Sequence, residues 1–576
     1  MKKFLVNKEN INLPIAEVLT LPDTLYELSG THDLEGTKVA VPKGCVLKFE
    51  EGSKITNGTL VLNNTQIEGA KHCIATTVSG VMEELDSDYF DLTMDNKTAI
   101  MQSMVDTANR IQLHGRLENV FNDIKIGGKE TAIIGNRATI VNTLPVTTSA
   151  ITITDNNLTV ISDLDFQISS GYAICKNANP TQLTYLSFII DRCHFYSSGG
   201  TDTAIIQLLG SREGNITNCF FEGTGKTGGC IGINRTDAVN TNVIGCMFSN
   251  LSYGIKAVGV HNSLDDPSEL YSIFACGLNV QSAVMLGCKY GIYIEGNDSF
   301  FLNNSMIDFC DNPLVLISQD GANITNNYFS TSDSLNDYSA TITVHNNLSM
   351  GSANRNQRII IANNTIYGHR SSNNYGIDMH VESKDCTIQG NTIGFFTEYG
   401  IHLTRGYTGN DNSWSIERFL IDNNKIYFPN TIVKVGIGSA TFAGSEQIVL
   451  SNNWAYAEDS TCQLIKAGSS THGDYTYHNN RFRPDSYTNN DNISYQTFWG
   501  MQKSTTRFKF NLQFNGTSSN LSITNPIGDA NVAVYVGNNK NLIKIVSITS
   551  SQIVFNRTST IYNETFTAVI ELMNNI

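Results

Sequence analysis

Proline is scarce in this chain of 576 residues, with only 10, and charged side chains make up just 16% of it. Together with 46 glycines and recurrent Asn, Ser, Thr and Ile, that scarcity argues against long amphipathic helical faces. It favours many short strands joined by turns. Basic residues are outnumbered, 38 Lys and Arg against 53 Asp and Glu, and the formal charge is −15. Phosphate backbones are bound by clustered cations, so nucleic acid is set aside as a partner. No run approaches the 18 or so apolar residues of a membrane span. The start, Met1 to Lys8, holds a three-residue apolar run, Phe4 to Val6, too short for a secretory leader. The expectation is a soluble cytoplasmic chain, without membrane insertion. The 12 cysteines include no paired C-x-x-C or zinc-like spacing, so reduced, buried thiols are expected.

What the chain has in place of these is an internal repeat. Segments beginning at Ile216, Val243, Leu302, Ile324, Ile361, Ile388, Ile421 and Leu450 share one template. An apolar residue is followed by two small or polar ones, a fixed Asn, Cys or Ser, a variable residue and usually another apolar one. The fixed position reads Cys193, Cys219, Cys246, Ser305, Asn327, Asn364, Asn391, Asn424, Asn453 and Asn480, mostly about 22 to 37 residues apart. A second strand is announced by Tyr-Gly-Ile at Tyr253, Tyr290, Tyr375 and Tyr399. Two strands per interval plus a third in the remainder describe one coil of a solenoid, stacked about 4.8 Å from the next. The recurrent Asn would then form an inward row, each amide bonded to the Asn above and below, and Cys193, Cys219 and Cys246 a core column.

The ends depart from this pattern. Short alternating strands over residues 39–69 predict a small β-helical cap. Apolar residues at 100, 101, 104, 105 and 108 predict an amphipathic helix over 95–110, with Asp95 as N-cap. After about residue 494 the template stops and the strand period continues, as in an antiparallel β-sandwich. The expected domains are 1–94 with the cap, 95–494 as the solenoid and 495–576 as the C-terminal sandwich, for trimerisation or carbohydrate binding.

The segment from Gly44 to Gly69, the helix from Asp95 to Arg110 ahead of Ile111 to Arg116, and the Asn-rich coils from about 160 to 490 resemble the pectate-lyase-like right-handed parallel β-helix superfamily. Within it the chain resembles phage tailspikes and related proteins of Bacteroidales phages and prophages. The resemblance covers most of the chain and implies an all-β, right-handed parallel β-helix. It also implies a homotrimer, a place in the virion tail beside tail or baseplate proteins, and bacterial surface polysaccharide as partner. The sequence departs from the tailspike layout in offering only about 38 residues before the first expected strands, with no long anchoring domain.

The chemistry expected of such a flank is glycosidic cleavage. Hydrolysis uses two carboxyl groups about 5 to 9.5 Å apart. Aligning strands on the Tyr-Gly-Ile isoleucine makes Lys256, Tyr293, Val315, Thr343, Asp378, His402 and Lys434 one outward row. Val258, Glu295, Ile317, His345, His380, Thr404 and Gly436 make the next. Asp378, His380 and Glu382, with Glu295 as a further carboxylate, are the candidate catalytic residues. His345, His402, Arg405, Tyr293, Tyr407 and Trp414 are the candidate substrate-binding residues. Asp378 and Glu382 would lie roughly 13 Å apart along the strand, too far for a direct pair. Asp298, Asp308 and Asp311 around Glu295, and the turn Asp265-Asp266-Pro267 after His261, are weaker candidates. The alternative for the Asp378 cluster is a solvated sheet face, for Asp298 and Asp311 an Asp favoured by a turn, and for residues 265–267 a plain surface turn. Hydrolysis of a capsular polysaccharide is the expected reaction, without a resident metal or other cofactor. A non-catalytic receptor-binding fibre is one alternative. A lyase acting by β-elimination, with Ca²⁺ as its aid, is another.

Overall fold

The computed structural model describes residues 2–6, 13–143, 149–155, 157–177, 187–200, 203–259, 276–332, 337–345, 356–369, 375–380, 383–404, 416–428, 435–439, 445–457, 463–466, 473–478, 481–484, 507–513, 520–525, 532–537, 543–557 and 565–572. The chain divides into two compact units, Met1–Lys256 and Ala257–Ile576. Among the described residues no helix is long and apolar enough to cross a membrane.

In the first unit strand pairing starts earlier than residue 39. Lys2–Val6, Thr24–Leu28, Val46–Phe49 and Gln66–Gly69 form a four-stranded parallel sheet. Thr24–Leu28 alternates between buried and half-buried side chains, and Tyr26 and Leu28 are excluded from water. The helix runs over Lys97–Thr107 and buries Ile100, Met101, Met104 and Val105, the spacing that predicted it. Its N-cap is Asn96, whose carbonyl accepts from the Ile100 N–H, so Asp95 stands one residue outside the cap. Residue 108 already belongs to the next strand, Ala108–Leu113.

Beyond the helix the strands stack in parallel, coil on coil. Phe166, Phe195, Phe221 and Phe248 occupy equivalent register positions. Their rings stack at centroid distances of 4.9, 5.0 and 4.7 Å. Cys193, Cys219 and Cys246 form the parallel thiol column, each buried and pointing its Sγ at a carbonyl of the preceding coil: Ile161, Ile190 and Ile216. The neighbouring thiol and burial push Cys219 and Cys246 well above the usual thiol range, which keeps them as inert packing groups.

The second unit repeats a three-strand coil. One example is Asp298–Asn303, Met306–Cys310 and Asn312–Ile317, each pairing in parallel with its equivalent in the next coil. Between the first two strands the chain turns through a left-handed residue: Asn304, Asn326, Asn363, Gly390, Asn423 and Asn452 all have φ between 50° and 65°. Asn and Gly tolerate that region, which explains the doubled Asn of the template. The residue after each is the ladder position. Asn364 accepts at Oδ1 from the backbone N–H (2.9 Å) and side-chain amide (3.0 Å) of Asn327, and donates from Nδ2 to the Ile324 carbonyl and to Asn391. The same bonds join Asn391, Asn424 and Asn453. Ser305 starts the row by donating its N–H to Asn327. Asn480 lies outside the described residues.

Near the C-terminus pairing becomes antiparallel. Arg507–Gln513, Thr565–Leu572 and Val532–Val536 form one three-stranded sheet, and Asn520–Thr524, Gln552–Arg557 and Ile543–Ile548 another. Phe555 of one meets Phe566 of the other edge-on at 5.3 Å.

Replacing a ladder Asn orphans several buried backbone and amide groups at once, each costing about 1–3 kcal/mol. Asn391→Ala is therefore expected to lower stability by about 3 kcal/mol or more, measured as a shift of the urea midpoint. A shift no larger than that of an exposed-site Asn→Ala change would remove the ladder from the account.

Candidate functional site

The strand Tyr375–His380 alternates as the sequence predicts. Ile377 and Met379 are buried in the solenoid core, and Asp378 faces the other way. Its register neighbours are Thr343 on the coil before and His402 on the coil after, and the row continues backwards through Val315 to Tyr293. After His402 the neighbour is Gly438. Gly436 therefore does not continue the second outward row, because the alignment falls on Ile437; Lys434 lies outside the described residues.

This row is not a solvated sheet face. Val315 and Thr343 are fully buried, Asp378 is 4% exposed and His402 8%. Asp378 accepts from two imidazoles, His345 Nε2 at 2.9 Å and His402 Nδ1 at 2.7 Å. Burial alone would push the carboxyl up; the hydrogen bonds from His345 and His402 outweigh it and hold Asp378 down at about 2. At neutral pH Asp378 is thus an anion, and an ionised carboxylate only accepts. Both facing ring nitrogens must carry protons, which leaves His345 Nδ1 and His402 Nε2 as the outer nitrogens.

Aromatic rings hold the imidazoles. His402 stacks on Tyr375 at 4.4 Å and 7°, and on Tyr399 at 4.8 Å and 29°. Tyr338 meets His345 edge-on at 5.5 Å. Neither Tyr375 nor Tyr338 is among the site candidates that the sequence offers. The first had a signal: a Tyr three residues before the outward residue on both the Asp378 and His402 strands. The side chains of His345, His402 and Asp378 are 22%, 10% and 6% exposed, so His345 is the most open of the three and Asp378 the deepest. The arrangement suits proton transfer by imidazole, with the carboxylate fixing ring orientation and tautomer.

The other sequence candidates fall elsewhere. Tyr293 donates its hydroxyl to Glu295 at 2.9 Å. Glu295 lies three coils before Asp378 in register, about 14 Å of stacking, so these two carboxylates form no direct pair. Asp308 and Asp311 accept from Ser330 and Ser332 of the next coil, and Asp298 from Ser299, so these carboxylates are used within the scaffold. His380 stands at the end of its strand opposite Thr404. Glu382, Arg405, Tyr407, Trp414 and the 261–267 turn lie outside the described residues. In the first unit Asp86, Asp88 and His114 bring three potential metal ligands together, but the Lys71 ammonium stands 2.7 Å from Asp88.

Because Asp378 titrates lower folded than unfolded, its stabilisation is complete above about pH 5 and is lost as the pH falls toward 2. The stability difference between the natural protein and Asp378→Asn is expected to be constant near neutrality and to shrink between about pH 4 and pH 2. A difference independent of pH down to 2 would show that no buried anion is present.

No family model matches this chain. No curated protein matches it either. Among solved structures, a tailspike variant of E. coli bacteriophage HK620 in complex with a pentasaccharide is 12% identical over 91% of this chain and 87% of that one, with a TM-score of 0.40. The A-module of mannuronan C-5 epimerase AlgE6 from Azotobacter vinelandii is 12% identical over 69% and 97%, also at 0.40. Tailspike protein 3 of bacteriophage CBA120 is 15% identical over 70% and 62%, at 0.38. Phage tailspikes and a mannuronan epimerase are among the structures this chain is similar to, and by its own strand pairings it is a parallel β-helix.

Proposed function

We propose that this chain binds an extended bacterial surface polysaccharide along the flank of its second unit and cleaves it, with His345 and His402 moving protons and Asp378 orienting them. The observation that carries the reading is the buried Asp378 anion bonded to both imidazoles at 2.9 and 2.7 Å. A carboxylate so engaged at neutral pH has no proton to give and lies deepest of the three, which argues against Asp378 as the acid or the nucleophile of a hydrolase. Imidazole is a competent base toward a carbon-bound proton beside a uronate carboxylate. The reaction this geometry serves best is therefore β-elimination. One imidazole takes the proton at C5, the C4–O bond breaks as the C4–C5 double bond forms, and the departing oxygen receives a proton from the other.

Calcium does not fit the described residues of this site. It takes six to eight oxygens, and here a single carboxylate is already bound by two N–H groups. The tailspike resemblance extends the proposal to a homotrimer in the virion tail, joined to tail or baseplate proteins.

Incubating the protein with capsular polysaccharide and sizing the products is expected to give shortened chains carrying an unsaturated sugar, seen by ultraviolet absorbance. His345→Ala and His402→Ala are expected to reduce the rate by about 10² to 10⁴-fold while the fold persists. New reducing ends without that absorbance would replace elimination by hydrolysis. Polysaccharide bound but unshortened would make the chain a non-catalytic receptor-binding fibre.

A further inference from the structure

The coil of Tyr290 and the reactive centre are connected by the short segment that leads into the strand Ala340–His345. Asp337 in that segment accepts a hydrogen bond from the Tyr290 hydroxyl and lies 3.1 Å from the Lys289 ammonium. Lys289 is itself 5.3 Å from the centre of the Tyr290 ring, so cation, phenol and carboxylate form one cluster. Tyr290 is 8% exposed, and in register it leads to Asn312 and then, two coils on, to the start of the Ala340–His345 strand. The tie therefore spans about 10 Å of stacking.

The residue after Asp337 is Tyr338, whose ring meets His345 edge-on at 5.5 Å and 81°. Ser339, the next residue, has φ of +56° and accepts from the Tyr375 N–H at 3.0 Å. Three consecutive residues are thus fixed from three directions: Asp337 to the earlier coil, Tyr338 to the imidazole, Ser339 to the strand that carries Asp378. A connection tied at both ends gives the half-buried ring between them little freedom to rotate away.

We infer that Asp337 is a positioning residue: its clamp on Tyr290 and Lys289 seats Tyr338 against His345 and so sets the angle of the imidazole toward its outer face. The hydrogen bond from Tyr290, opposed by partial burial and aided by Lys289, lowers the Asp337 carboxyl, which keeps the clamp charged at neutral pH. The inference rests on the reading of His345 as a proton-moving group, but the clamp can be read without that chemistry. Glu295 and Tyr293, set beside Tyr290 by the edge-on contact of Tyr290 and Tyr293 at 5.7 Å, then belong to the support of the site.

The test compares Tyr290→Phe, Asp337→Ala and Asp337→Glu in the full chain. Histidine-selective NMR, with the His345 signal assigned by its loss in His345→Gln, reads the ring directly. Tyr290→Phe and Asp337→Ala are expected to shift the His345 signal and leave the fold intact, and Asp337→Glu to restore it in part. With capsular polysaccharide as substrate, the first two are expected to lower kcat by about tenfold with KM unchanged. An unmoved His345 signal in both variants overturns the clamp even if cleavage is observed. A moved signal in a protein that cleaves nothing supports the clamp and overturns the catalytic reading instead.

Discussion

The amide of a ladder asparagine has to find partners in two coils at once, and the second unit depends on that constraint. Each Nδ2 donates back to the carbonyl of an apolar residue on the preceding coil and forward to the next Asn, while each Oδ1 accepts a backbone N–H and an amide from the coil before. A shift of one residue between neighbouring coils would break the three such bonds that join them and leave their groups buried. It would also turn every outward side chain inward. The Phe166-to-Phe248 stack in the first unit is the apolar counterpart, since stacked rings at 4.7 to 5.0 Å match the coil spacing only when the register is kept.

Fixed register turns three distant pieces of sequence into one site. His345, Asp378 and His402 are separated by 33 and 24 residues, yet they lie on three successive coils. The acidic group is in the middle, which lets one carboxylate use both oxygens, one toward each neighbour. Had the acid stood at either end of the three, it would have reached one imidazole only. The tyrosines of the Tyr-Gly-Ile segments then close the row, because Tyr375 and Tyr399 are register partners and both lie against the His402 ring.

Much of this could be read from sequence wherever a period exists. The Asn row is visible because identical side chains recur at the same template position, and Asp378 with His402 because strand alternation assigns faces two residues at a time. Position without surroundings was the limit. Alternation places Val315, Thr343 and Asp378 outward, but it does not reveal that these three side chains are themselves buried. Aperiodic connections were opaque for a related reason. Asp337 and Tyr338 sit in a linking segment where nothing repeats, and only the pairing itself shows that Gly438 takes the row position after His402. At the helix start the backbone carbonyl of Asn96, rather than the side chain of Asp95, takes the first helical hydrogen bond, a choice that propensity does not resolve.

The protonation of the two rings carries the account from scaffold to chemistry, since a buried carboxylate between imidazoles has value only as an anion that decides where their protons sit. Nitrogen NMR of the histidine-labelled protein at neutral pH reads this directly. A proton is expected on Nε2 of His345 and on Nδ1 of His402, both held against exchange and both lost as ordered signals in Asp378→Ala. Finding either facing nitrogen bare in the natural protein would contradict it.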